Sequence, residues 1–421
     1  MPAPSPKAAK FDHPDAGLIS VEEARTRILA ALPLLAVETL PILQAHGRVT
    51  AEDLVARLTH PPDPVSAMDG YALRSEDVGD MPLRLHKIGV SRAGERFKGE
   101  LTPGACVRIF TGAVIPEGAD VIALQEDAEE SDDEVILREV APKGRFIRKA
   151  GMDFSTGQVL VPAGRALTAR DVGLLASAGH GEVAVRRRPR VAILSTGDEL
   201  VAPGAIPGPD QIVGSNGVAL AAAVQSWGAE AVEIGIASDS TNAIAEASDR
   251  AQGADILITS GGASVGDHDL VQAGFAERDF KTDFWRIAMR PGKPLMFGHI
   301  GELPVLGVPG NPVSALVCAM LFLRPALRKM LGMAAIEPRL DRARLTVAMG
   351  ANDKREEYGR GRLEHGPDGA LLVTPFSGQD SAMQKLLAHA DCLIRRAPHA
   401  PAAAEGDEVE IVRLDLLEGG F

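Results

Sequence analysis

The sequence predicts a multidomain α/β plus β fold: a central αβα unit built on a parallel sheet, with a helical linker, an inserted β domain and a C-terminal β domain around it. Three observations predict it. At 421 residues with 44 glycines and 29 prolines, the chain is too long for one ordinary core and turns often. Between Arg190 and about Gly332, strand-like and helix-like runs alternate, as in a parallel sheet covered by helices on both faces. Short β-type runs broken by Pro and Gly fill the stretch from about Leu58 to Lys149, and the remainder from about Arg339 reads as a small β domain.

In chain order, residues 1–17 carry no apolar periodicity and read as a mobile tail. Ser20 and Glu23 form a capping box ahead of Ala24, Ile28, Leu29 and Leu32, an apolar stripe at helical spacing. Thr168 and Asp171 repeat the box before Val172, Leu174 and Leu175, and Gly179 ends that second helix, which could pack on the first. These segments, 18–57 and 150–185, make the linker around an insertion at 58–149. The α/β unit takes 186–334, with strands at 190–194, 232–237 and 256–259, helices at 216–227 and 241–252, and a last helix from Asn311-Pro312, an N-cap residue with proline at the first helical position. The C-terminal β domain takes 335–421.

A net charge of −13 repels nucleic acid and anionic lipid surfaces, so an anionic ligand needs a local cluster of positive groups and the expected partner is a small molecule. Cys106, Cys318 and Cys392 lie far apart, which argues against a zinc site or a disulfide framework and suits a reducing cytoplasm. The longest apolar stretch, 315–323, is too short to span a bilayer, and the N-terminus lacks the order of a signal peptide.

The loop from Ser260 through Gly261, Gly262, Ser264, Asp267 and Asp269 follows a strand and opens a helix. Its small residues let backbone N–H groups converge on a phosphate, and its acids suggest an accompanying cation. The 195–199 loop and the 307–311 loop, which holds Pro309 and Asn311, should open on the same carboxyl edge of a parallel sheet, where ligands of such sheets bind. Arg290 and Lys293 sit on a proline-stiffened turn suited to an oxyanion. Glu199, Asp239, Asp267 and Asp269 are solvated acids by default, yet hard oxygen ligands at such ends could hold Mg²⁺. The 262–266 segment also fits a hydrolase nucleophile elbow, but the acids after it would oppose an oxyanion.

Further strings do not follow from periodicity: Pro61 to Ala72, Arg108 to Ala113, Pro116 to Asp120 and Arg148 to Phe154. With the loops above, occurring in the same order, they closely resemble the molybdopterin molybdenumtransferase family, the group of MoeA and the gephyrin E-domain, from about residue 18 to the C-terminus. The resemblance implies a four-part elongated subunit whose α/β part binds molybdopterin. It also implies a homodimer with active sites between subunits, and Mg²⁺-dependent insertion of molybdate into adenylylated molybdopterin with release of AMP. Transient contact with a molybdopterin adenylyltransferase and with apo-molybdoenzymes follows from that activity, and neither nucleic acid nor membrane enters it.

Residue by residue, the resemblance implies that Gly261, Gly262, Ser264, Asp267, Asp269, Pro309 and Asn311 cradle the pterin phosphate and nucleotide. Arg290, Lys293, Ser314, Arg360 and Ser381 would form the oxyanion pocket, with Lys293 also catalytic. Asp69 and Thr111 would reach into the partner's site, Asp153 would be a further acid tied to catalysis, and Glu199 and Asp239 would serve catalysis and Mg²⁺. Two positions depart from the family: Met152, often acidic or small there, and Asp380, where glycine usually precedes the serine. Two other classes remain open at this point, an adenylyltransferase built on the same α/β fold and a non-enzymatic scaffold.

Overall fold

The computed structural model describes residues 18–261 and 270–414. The expected tail at 1–17 and most of the 260–269 loop, including Gly262, Ser264, Asp267 and Asp269, lie outside the described residues. At the centre is a six-stranded sheet in the order Glu230–Ala237, Arg190–Thr196, Ile256–Ser260, Leu303–Val308, Met296–Ile300, Phe280–Phe284. The first four strands are parallel, while Met296–Ile300 runs against them, paired antiparallel with both Leu303–Val308 and Phe280–Phe284, so the sheet is mixed where the alternation predicted a parallel one. The reason is local: a two-residue connection at Gly301, whose φ is +56°, can only return the chain antiparallel.

Period-two alternation along the central strands builds both faces. Val191, Ile193, Ile256, Ile258, Leu306 and Val308 point to one side, where Leu220 and Val224 of the helix Ser215–Ser226 and the 312–330 helix cover them. Ala192, Leu194, Leu257 and Val305 point to the other, under the helices Thr241–Asp249 and Leu270–Ala276. The 312–330 helix contains one π turn, Ala319–Leu323, followed by Arg324 and then Pro325, which has no N–H to donate to an α-type ladder.

The linker holds together more by strand than by helix. Val37–Pro41 pairs with Glu182–Arg186 and Leu54–Val55 with Val159–Val161, closing the root of the insertion. Its two helices do not share a core. Val21, Ala24 and Ile28 bury into the α/β core beside Leu327 and Met330, whereas Leu175 packs with Val161, Leu167 and Val183. Ser20 caps its helix by accepting the Glu23 N–H at 3.0 Å, but the Glu23 carboxylate pairs with Arg27 instead of completing the expected box; Thr168 and Asp171 complete theirs.

The insertion is a six-stranded sheet in which Gly70–Leu73 lies between Val121–Leu124 and Ala105–Ile109. A Cβ on Gly70 would lie 1.9 Å from the Ala123 carbonyl oxygen, so glycine is required for the two backbones to approach. At the C-terminal end, Leu340–Leu345, Glu408–Arg413, Cys392–Arg396, Glu356–His365 and Leu371–Pro375 pair in a closed ring, a five-stranded barrel. The short strand Met289–Arg290 adds to its Glu356 end and ties the barrel to the α/β unit. Among the described residues no helix is long and apolar enough to cross a membrane.

Candidate functional site

The carboxyl ends of the central parallel strands open into a cleft of about 740 Å³. Its wall gathers Glu199, Asp239, Gly261, Pro309 and Asn311, brought together from four strand-end loops, together with Pro294 and Ala382. Close backbone approach shapes it. Gly261 has φ +99°, and a Cβ there would lie 2.4 Å from the Thr196 carbonyl oxygen.

Asn216 is a residue that sequence reasoning missed. Its Nδ2 donates to Ser260 Oγ at 2.8 Å and to the Gly310 carbonyl at 2.7 Å, stitching two of the loops together from the start of a helix. Its position just before a periodic run was the available signal. Asp198 lies in the 195–199 loop that the sequence singled out, though not among the residues given a role. It ties that loop to Asp239: the Asp239 N–H donates to Asp198 Oδ1 at 3.0 Å and the Asp198 N–H to Asp239 Oδ2 at 3.4 Å.

Asn311 stands at the helix N-cap position without capping it; its Nδ2 donates instead to Ser381 Oγ at 2.9 Å. The Val313 N–H donates to the Ser381 carbonyl at 3.1 Å, so the C-terminal part is fastened to the cleft's edge. Ser314 is buried just behind. Arg360 is buried as well, at 1% exposure, donating through Nη2 to the Gly378 carbonyl while its Nε has no partner. Burial pushes its guanidinium pKa down, and neighbouring Asp380 acts in the opposite direction. The Asp380 carboxylate itself accepts the Ala382 N–H at 2.8 Å within its own turn.

The cations on the 290–294 turn face elsewhere. Arg290 pairs with Glu357 at 2.9 Å and Asp353 at 3.7 Å, so much of its charge is already matched. Lys293 lines a second cavity of about 580 Å³ with Asp353, Lys354, Arg355 and His399, while Pro294 lines the main cleft. The Arg355 hydrogen bonds and charge, with Arg290 nearby, hold the Asp353 carboxyl down at about 2.

Asp69, Thr111 and Asp153 do not line the main cleft. The first two meet each other: the Thr111 N–H and hydroxyl donate to Asp69 Oδ1 at 2.7 and 2.8 Å, and those bonds lower the Asp69 pKa. Asp153 is exposed on the linker, its N–H donating to the His60 carbonyl. Among the described residues no three of His, Cys, Asp and Glu group closely enough to cage a metal. Mg²⁺ needs no such cage, since it keeps several waters and takes one or two carboxylates beside a substrate phosphate; Glu199 and Asp239, both exposed on the cleft, fit that role.

Three family models match in succession: the MoeA N-terminal region (domain I and II) over residues 19–179, a probable molybdopterin binding domain over 192–329, and the MoeA C-terminal region (domain IV) over 342–414. A Nostoc protein named molybdopterin molybdenumtransferase is 38% identical, over 90% of this chain and 89% of its own length. One of the same name from Haemophilus influenzae is 34% identical, over 96% and 100%. Among solved structures, a molybdopterin biosynthesis MoeA protein from Pyrococcus horikoshii superposes with a TM-score of 0.80 at 31% identity, covering 94% of this chain and 99% of that one.

Proposed function

The chain belongs to the molybdopterin molybdenumtransferase family, enzymes of molybdenum cofactor biosynthesis, and from that premise we propose that it inserts molybdate into adenylylated molybdopterin with Mg²⁺-dependent release of AMP. One observation carries the reading: strand-end loops converge on a single cleft, with carboxylates on its wall and the C-terminal part fastened to its edge.

The pterin phosphate and nucleotide lie along Gly261, Pro309 and Asn311, and the family resemblance adds Ser264 and Asp269, which lie outside the described residues. Asn216 fixes the spacing of the Ser260 and Gly310 loops, so the cradle is set before substrate arrives. Bound by Glu199 and Asp239, Mg²⁺ would offset phosphate charge and favour departure of AMP. For molybdate we keep the set Lys293, Arg290, Ser314, Arg360 and Ser381, although the structure holds Ser381 at the edge of the main cleft and Lys293 on the second cavity.

Asp69 and Thr111 act in the cleft of a second copy. The support is that neither lines the cleft of its own chain, while their mutual hydrogen bonds keep Asp69 ionised. We assign the protein to the cytoplasm, receiving substrate from an adenylyltransferase and handing product to apo-molybdoenzymes.

The test is to incubate purified protein with adenylylated molybdopterin, Mg²⁺ and molybdate, following AMP release and activation of a cofactor-free molybdoenzyme. AMP release that depends on molybdate, together with activation, is expected. Adenylylated product made from ATP would favour an adenylyltransferase instead, and binding without turnover a scaffold.

A further inference from the structure

Arg108 joins the chain segments that frame Asp69. Its Nη1 donates to the Gly70 carbonyl at 3.1 Å and its Nη2 to Gln125 Oε1 at 2.6 Å, while the Gln125 N–H donates to the Asp69 carbonyl at 3.2 Å. The guanidinium also lies over two rings, 5.0 Å from the Tyr71 centroid and 4.8 Å from that of Phe110. Phe110 directly precedes Thr111, which supplies both hydrogen bonds to Asp69 Oδ1. One side chain therefore touches the residue after Asp69, the residue before Thr111 and the residue that holds the Asp69 backbone.

Provided that Asp69 acts on substrate as proposed above, we infer that Arg108 is a positioning residue for the transfer: it sets the aim of the Asp69–Thr111 pair without itself meeting substrate. The alternative is simple support of the inserted sheet. Two features argue against that. The sheet is built on buried Tyr71, Leu73, Leu85, Val121, Val135 and Leu137; Arg108 meets that core through the Tyr71 ring, whereas its hydrogen bonds fall on Gly70 and Gln125 beside Asp69. The arrangement also uses what distinguishes arginine, a planar fork that bonds two acceptors while stacking, which a lysine ammonium cannot reproduce.

The experiment compares wild type, Asp69→Asn, Arg108→Gln and Arg108→Lys for AMP release from adenylylated molybdopterin, with thermal unfolding of each. In Arg108→Gln, kcat should fall roughly ten- to a hundredfold, the loss expected of a displaced acting group, with KM and the unfolding midpoint close to wild type. Arg108→Lys should stay impaired although the charge is kept. Wild-type kcat in Arg108→Gln beside an inactive Asp69→Asn overturns the role of Arg108 and leaves that of Asp69 standing. Full activity in both variants overturns the Asp69 assignment and the role of Arg108 with it. If Arg108→Gln does not fold, Gln125→Ala removes one acceptor and leaves the ring stack; a smaller fall in kcat at constant KM is expected, and unchanged kcat overturns the inference.

Discussion

Asp353, on the second cavity, is held ionised by the arginines around it. Its carboxyl falls from an ordinary 3.8 to about 2 because Arg355 donates to it and Arg290 lies close by. A depressed value means that the ionised form is favoured by folding. The contribution is therefore full above the unfolded value and is lost as pH falls through the folded one. Asp353→Asn should unfold at lower urea than wild type at pH 7, and the gap should narrow as pH drops from about 4 toward about 2. A gap that widened on acidification would contradict the pairing. At the cleft, Asp239→Asn should weaken Mg²⁺ binding, seen as a higher Mg²⁺ concentration for half-maximal AMP release, roughly tenfold for a lost ligand.

Among the elements, glycine contacts decide what can change. At Gly70 an added Cβ would meet a carbonyl oxygen at 1.9 Å, and backbone in a paired strand cannot give way, so Gly70→Ala should cost about 3 kcal/mol or more and lower the thermal midpoint sharply. Gly104 turns with φ +72° into open space, so Gly104→Ala should cost only about 1–2 kcal/mol of backbone strain. Equal losses would refute the steric account. The same level shows what was legible in the sequence. Capping boxes and apolar periodicity located both linker helices and the alternating strands, because those signals are local. The mixed sheet, the closed barrel and the separate cores of the two linker helices depend on pairings between distant segments, to which a periodic pattern is blind. Asn216 was missed for the same reason: its partners, Ser260 and Gly310, lie 44 and 94 residues away. Asp69 and Thr111, 42 residues apart, were identified only by resemblance, and their contact emerged with the fold.

Over the whole molecule, the main cleft and the Asp69–Thr111 pair belong to different parts of the chain, which leads the account to a dimer with shared sites. Exposed apolar side chains on the linker, Leu34, Val37 and the 90% exposed Leu43, suit burial against a second copy. Light scattering should return twice the 44.2 kDa of one chain. The central claim, that Asp69 of one subunit works in the cleft that holds Glu199 of the other, is tested most directly by co-expressing Asp69→Asn and Glu199→Gln, each inactive alone, and assaying molybdate-dependent AMP release. Random pairing makes half of the dimers mixed, each with one intact site, so roughly a quarter of wild-type activity should return. If Asp69 and Glu199 serve one site from the same chain, every site in the mixture is damaged; no recovery in verified mixed dimers would contradict the account.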